Sequence, residues 1–321
     1  MNDSIQQVSK LKFFPIMMYA IVMGLGGLTI TYQKAHEWLG FPGFLGNGLA
    51  IITTFAFIII TLVYILKFIK YKQSVINEFN HPIRINFFAA ISISILMLAI
   101  IFHPINHTVA STLFLNGTII HLFLTLYTIS FWINKNQVLD HSNPAWFIPI
   151  VGNVLIPVAG AGFAPVHILN FFFSIGIFFW IVLFALILNR IIFHHQLAVK
   201  FMPTLFILIA PPAVGFIAYF KLYHTIDTFA MMLFNLALFF TLLVAFMYKN
   251  FLNIKFFISW WAFVFPLAAM AIASMLLYTQ MHDTFLFVFS HIMIAVVTVV
   301  IVIVLFNTLL TMKQGEICIQ E

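Results

Sequence analysis

Residues 284–311, TFLFVFSHIMIAVVTVVIVIVLFNTLLT, contain no Asp, Glu, Lys or Arg. Roughly 20 apolar residues are enough for an α-helix to cross the hydrocarbon core of a bilayer. In that core every backbone N–H and C=O must be satisfied within the structure, which leaves helices and closed barrels as the spanning forms. A run this long is a helix. Polar and Pro/Gly breaks divide nearly the whole chain into ten such runs, at about 12–33, 46–70, 84–103, 108–133, 145–162, 166–190, 201–221, 226–248, 256–280 and 284–311. Only 7% of the residues are charged, against about a quarter in a soluble domain. The expected fold is an all-α integral membrane protein. It forms one ten-span domain over residues 1–321, with short tails at 1–11 and 312–321. The first run is long enough to span and lacks a cleavable signal pattern, so it reads as a retained span. The single cysteine, Cys318, lies in the C-terminal tail and excludes an internal disulfide.

The basic residues orient the spans. With ten spans and the N-terminus inside, Lys10, Lys12, Lys67, Lys70, Lys72, Arg84, Lys135, Arg190, Lys200, Lys249, Lys255 and Lys313 share one side. Lys34 and Lys221 fall on the other. The positive-inside rule then places both termini in the cytoplasm; the expected location is a bacterial inner (plasma) membrane. The sequence pI near 9.4 is accounted for by this topology, and no nucleic-acid partner is expected. The acids Asp3, Glu37, Glu78, Asp140, Asp227, Asp283, Glu316 and Glu321 all read as loop or tail residues. Carboxylates within spans mark proton relays and cation sites, so their absence argues against a carboxylate-coupled pump or a cation channel.

Proline carries the strongest organisational signal. Pro15, Pro149, Pro157, Pro203, Pro211, Pro212 and Pro266 fall within spans, and every one of those spans is odd-numbered. Gly24, Gly26, Gly27, Gly152, Gly160, Gly162 and Gly215 lean the same way, with Gly117 and Gly176 well inside even spans. Proline removes a backbone hydrogen bond and bends a helix. Broken backbone at membrane depth is tolerated where it is buried in protein or lines a water-filled cavity. The odd spans are therefore expected inside and the even spans outside, as five hairpins around a central pore. Even-span stretches such as LNFFFSIGIFFWIVLFALIL (169–188) suit a lipid-facing role. Small residues and kinks also ease close packing between helices, so any single Gly or Pro fits either role.

No catalytic constellation stands out. The serines are scattered, no acid sits within a span, and there is no phosphate-cradling Gly-rich loop. Neither an enzyme nor a cofactor or metal site is expected. Most histidines flank the membrane: His36, His81, His103, His107, His141, His194, His195, His224 and His282. His121 and His291 fall in even spans, where hydrogen bonding to a neighbouring helix is the simpler expectation than haem or metal ligation. Polar groups inside the odd spans are few and uncharged: Thr29, Thr31, Ser92, Ser94, Asn153 and Ser274. A neutral, narrow pathway with a basic rim suits anions better than cations.

Four stretches carry a resemblance: NHPIRINFFAAISIS (80–94), NPAWFIPIVGNVLIPVAG (143–160), PTLFILIAPPAVGFIAY (203–219) and WWAFVFPLAAM (260–270). Together, at matching spacing over almost the whole chain, they resemble the slow-type anion channel family. That family includes the plant guard-cell channels, bacterial tellurite-resistance TehA and fungal malate permeases. The resemblance implies ten helices in five hairpins, a pore among the odd helices, and a homotrimer with one pore per subunit. It implies passage of small monovalent anions such as chloride and nitrate, with dicarboxylates moved by some members. It also implies a phenylalanine gate, matched here by Phe265 of FVFP. The position facing it matches Ala20 of MMYAIVMG, and Pro157, Pro211 and Pro266 match kink positions. In the TehA branch glycine follows the gating ring; Pro266 resembles the plant-channel and permease side instead, so the branch and its substrate stay open.

On an ideal helix Trp261, Phe265, Ala268 and Ile272 share one face, and Ala262, Pro266, Ala269 and Ala273 share a neighbouring face of small residues. The expected pathway residues are thus Ala20, Gly24, Asn153, Pro157, Pro211, Pro212, Trp261, Pro266 and Ala268, with Phe265 as the gate. Simple packing in a chain with 41 phenylalanines is the alternative for Phe265. For the chain as a whole, the alternatives are a proton-coupled transporter of C4-dicarboxylates or tellurite-type oxyanions, and a cofactor-binding membrane protein.

Overall fold

The computed structural model describes residues 10–318, and among them every regular element is helical. Residues 1–9 and 319–321, with Asp3 and Glu321, lie outside the described residues. Twelve α-helices follow one another: α1 Tyr19–Leu39, α2 Gly43–Lys70, α3 Lys72–Phe79, α4 Ala89–Phe102, α5 His107–Asn134, α6 Phe147–Val151, α7 Leu155–Gly160, α8 Val166–Phe193, α9 Ala210–Tyr223, α10 Thr228–Phe246, α11 Val264–Met281 and α12 Thr284–Gln314. Nine helical stretches among the described residues are long and apolar enough to cross a membrane, and Pro144–Gly160 is a shorter apolar one.

A 3-10 segment leads into each proline-bearing span. Ile16–Met18 runs into α1, Val199–Ile209 into α9 and Ile258–Phe263 into α11. Arg84–Phe88 does the same for α4. Between 144 and 160 the winding alternates, from Pro144–Trp146 to α6, then Gly152–Val154, then α7. A 3-10 helix rises about 2.0 Å per residue against about 1.5 Å for an α-helix, so these segments reach farther than α-helices of equal residue count.

Most span prolines sit at the changes of winding, while Pro203 lies inside the 3-10 segment Val199–Ile209. Pro149, Pro157, Pro212 and Pro266 each occupy the third position of an α-helix. The first N–H groups of a helix have no intrahelical acceptor, so a ring there removes no α-helical hydrogen bond. The expectation of a mid-helix bend at Pro266 is corrected: the ring marks where 3-10 winding gives way to α. Pro15 lies ahead of its span in extended conformation, with φ −83° and ψ 148°.

Burial separates the spans into two sets. The stretches containing α1, α4, α9 and α11 have 78–83% of their most apolar window buried, whereas α2, α5, α8, α10 and α12 have 22–39%; the shorter segment 144–160, with α6 and α7 mostly buried, is the fifth buried span. The buried set closes on itself: α1 packs on α4, α4 on α7, α7 on α9, α9 on α11, and α11 back on α1. The exposed set packs outside, with α2 against α1, α5 against α4, and α12 against α11. Asn106, Asp227 and Asp283 cap the exposed helices α5, α10 and α12 by accepting from the N–H of Val109, Ala230 and Leu286. Such side-chain acceptors satisfy donors that a helix start leaves open. Gly40 and Gly315 end α1 and α12 in left-handed backbone, φ 75° and 78°, a conformation that glycine adopts without steric cost.

Two acids expected in loops are in α-helices. Glu37 lies in α1, where its carboxylate accepts from Lys34 Nζ at 2.6 Å and Trp38 Nε1 at 3.1 Å. Glu78 lies in α3 and is almost wholly buried. Its Oε1 accepts from the N–H of Ile16, and its Oε2 accepts from Tyr64 and Lys67. The shared partners at the ends of α1 and α2 are what draw α3 inward.

Candidate functional site

Two cavities lie within the ring of buried helices. The wider, of about 730 Å³, opens at the end opposite the termini, where Lys34, His103 and Lys221 border it. The narrower, of about 90 Å³, lies toward the terminal end and is bordered by Met17, Ala20, Phe87, Phe147, Pro211 and Pro266 among others. All five buried spans contribute to both cavities. Three residues border both: Leu155 from α7, Val214 from α9 and Phe265 from α11. Leu155 and Val214 are each 5% exposed, while Phe265 is half-buried, as a ring facing internal space would be.

The α11 residues that face the wide cavity are Phe265, Ala269, Ile272 and Leu276, a spacing of four, three and four that follows one face of an α-helix. Ala268 does not belong to this face. A Cβ at Gly27 would stand 2.9 Å from Ala268 Cβ, so Ala268 is part of the α1–α11 contact. Gly24 plays the same part: a Cβ there would lie 2.6 Å from the Trp261 ring. Trp261 touches the narrow cavity, yet it is 1% exposed and its indole N–H donates to Thr308 of α12 at 3.0 Å. Ala20, Pro211 and Pro266 border the narrow cavity.

Asn153, Pro157 and Pro212 are buried away from both cavities. Asn153 Nδ2 donates to the carbonyl of Ile150 at 2.7 Å and to Thr125 Oγ1 at 2.9 Å, and Thr125 in turn donates to the carbonyl of Pro149 at 2.7 Å. Carbonyls freed by the broken winding between 144 and 160 thus find side-chain donors, as membrane depth requires. The other polar groups of the buried spans are similarly engaged. Thr29, Thr31, Ser92, Ser94 and Ser274 each donate to a backbone carbonyl of their own helix. None of them borders either cavity.

His121 is fully buried, with Nδ1 at 2.9 Å from Ser92 Oγ on α4. A Cβ at Gly152 would meet the His121 ring at 2.8 Å, so this contact also needs glycine. His291 bonds differently from expectation: its Nδ1 meets the carbonyl of Phe287 on its own helix at 2.8 Å, and Phe41 and Phe287 flank the ring.

The two cavities differ in charge. The narrow one is bordered by no ionisable side chain, and its polar groups, Thr204 and Ser259, donate to the backbone. The wide one carries two lysines and one carboxylate. His103, just past the end of α4, has its imidazolium form disfavoured, first by burial and then by the nearby His107, Lys221 and Lys34 charges. Sequence reasoning missed Leu155, Val214 and the convergence of Lys34 with Lys221. The last could have been found, because these two are the only basic residues on the side opposite the termini in the expected topology.

Comparison with known proteins bears directly on this architecture. Residues 13–309 match the voltage-dependent anion channel family. An uncharacterized transporter of Methanocaldococcus jannaschii is 29% identical over 295 residues, covering 84% of this chain and 86% of the relative. The S-type anion channel SLAH2 of Arabidopsis thaliana is 31% identical over 271 residues, covering 81% of this chain and 52% of the plant protein. A tellurite resistance protein TehA homolog of Haemophilus influenzae is 28% identical over 291 residues, covering 87% of each chain. With the match spanning nearly all the helices described above, the chain belongs to the voltage-dependent anion channel family.

Proposed function

We propose that this protein is a channel for small monovalent anions such as chloride and nitrate, with Phe265 as the gate. The observation that carries the reading is the position of Phe265, bordering both cavities together with Leu155 and Val214. An apolar constriction excludes water and with it the ion's hydration, so a ring at that point is a barrier. The apolar, uncharged narrow cavity and the lysines of the wide one favour anions over cations. The SLAH2 relative is an S-type anion channel by name, which supports the same substrate class. In this reading ten spans form five hairpins around the pathway. Both termini face the cytoplasm of a bacterial cell, three copies assemble with one pore each, and the chain catalyses no reaction.

The test is Phe265→Ala in planar bilayers or oocytes. Anion conductance rises in the folded, surface-expressed variant; an unchanged current would remove the gate assignment.

A second reading is coupled transport of dicarboxylates or tellurite-type oxyanions; the archaeal relative is a transporter by name and the Haemophilus relative a tellurite resistance protein homolog. Coupling normally uses a titratable group in the pathway. The buried Glu78–Lys67 pair borders neither cavity, whereas Glu37, His103 and Lys221 border the mouth of the wide one and are the groups that coupling would have to use. Saturable, pH-driven malate uptake in proteoliposomes would favour this reading over ohmic chloride current.

A further inference from the structure

Lys221 stands at the mouth of the wide cavity, half-buried near the end of α9. Among the described residues it has no hydrogen-bond or ion-pair partner. It lies within electrostatic reach of Lys34 and Glu37. Those two neutralise one another through the 2.6 Å contact between Lys34 Nζ and Glu37 Oε2. The group of three therefore carries one uncompensated positive charge, directed at a cavity large enough for a hydrated ion. Lys34 also lies over the Trp38 ring at 5.0 Å, and the Trp38 indole is tied to Glu37. His36, which also borders the cavity, has its Nδ1 engaged with the carbonyl of Phe41 at 2.6 Å.

We infer that Lys221, with Lys34 beside it, forms a binding site for one small monovalent anion at the mouth opposite the termini. The partly desolvated ammonium supplies the attraction, because a charge beside low-dielectric walls acts more strongly than one in water. Glu37 sets the valence. It occupies Lys34, so the site offers one net charge, and a dicarboxylate would have to displace Glu37 to find a second. The site deepens the channel reading by giving the pathway a loading station, yet binding there is measurable without current.

The experiment uses the purified full chain in detergent with iodide as the probe. Iodide quenches tryptophan on close approach, and subtracting the Trp38→Phe signal isolates Trp38. The expected result is saturable quenching of Trp38 in the unaltered protein. Lys221→Gln weakens it about tenfold, and Lys221→Arg retains it. Chloride competes with iodide, and malate competes less well. Equal quenching in Lys221→Gln, or stronger competition by malate than by chloride, would overturn the site. Should Lys221→Gln fail to fold, Glu37→Gln supplies the test: freeing Lys34 tightens iodide binding, and unchanged affinity counts against the proposal. Saturable quenching in a protein that passes no current would uphold the site while removing the channel reading. A current that persists with no saturable quenching would do the reverse.

Discussion

The ammonium of Lys67, in the last turn of α2, lies 2.6 Å from the carboxylate of Glu78, and both side chains are at most 3% exposed. Lys67 also donates to the carbonyl of Phe14, while Glu78 accepts from the N–H of Ile16. The pair thus grips the chain on both sides of Pro15, at the entry to the first buried span. Removing one member of a buried, hydrogen-bonded pair leaves the other charge unpaired, at a cost of about 3–5 kcal/mol. Lys67→Met and Glu78→Gln should each lower the unfolding temperature in detergent markedly. The double variant Lys67→Met/Glu78→Gln should lose less than the sum of the single losses. Additive losses would show that the two side chains act independently.

Gly24 and Trp261 form a second tight contact, between α1 and the 3-10 segment before α11. The indole is held by Thr308, so the ring has little freedom to retreat from a Cβ that would stand 2.6 Å away. Gly24→Ala should destabilise by about 1–3 kcal/mol, the usual range for overpacking. Trp261→Phe should relieve part of that loss in the same background. Thermal unfolding of the three variants decides it; a stable Gly24→Ala would mean that the helices part easily here.

These two contacts show what a sequence can and cannot disclose. The membrane class was legible because an uncharged run such as 284–311 has few other places to go. The division into buried and exposed spans was legible because prolines such as Pro149, Pro157, Pro212 and Pro266 are confined to the buried set. The face of α11 was not. A projection anchored on Trp261 centres the face between Trp261 and Phe265 and so takes in Ala268 rather than Ala269, but Ile258–Phe263 is wound as a 3-10 helix. Each such residue turns about 120° where an α-helical one turns about 100°, and the projection drifts. Glu78 was read as a loop acid for a different reason: its partners Ile16, Tyr64 and Lys67 are distant in sequence, and only the packed ends of three helices bring them together.

His103 gives the wide cavity a pH dependence. Its pKa lies below the ordinary imidazole value, because burial and the neighbouring positive charges disfavour the imidazolium form. At neutral pH it is therefore uncharged, and His103→Gln should leave anion current unchanged there. As pH falls below the usual histidine range the ring takes up a proton and adds positive charge at the mouth, so current through the unaltered protein, if it conducts as proposed, should rise. His103→Gln should remove that acid-side rise. An identical pH profile in the two proteins would show that another group carries it.

Phe265 shares the boundary between the cavities with Leu155 and Val214, so in the proposed channel the barrier would be a property of three side chains from three helices. Removing the ring should widen the passage without abolishing the constriction, since Leu155 and Val214 still face it. Leu155→Ala in the Phe265→Ala background should therefore raise conductance further. Val214→Phe in that background restores a ring at the same level from α9 and should lower the current again. A recovered barrier would show that occlusion depends on apolar bulk at this depth rather than on the particular helix that supplies it. If Val214→Phe leaves the Phe265→Ala current untouched in folded protein, the three residues do not share one constriction, and the barrier must be sought elsewhere along α11.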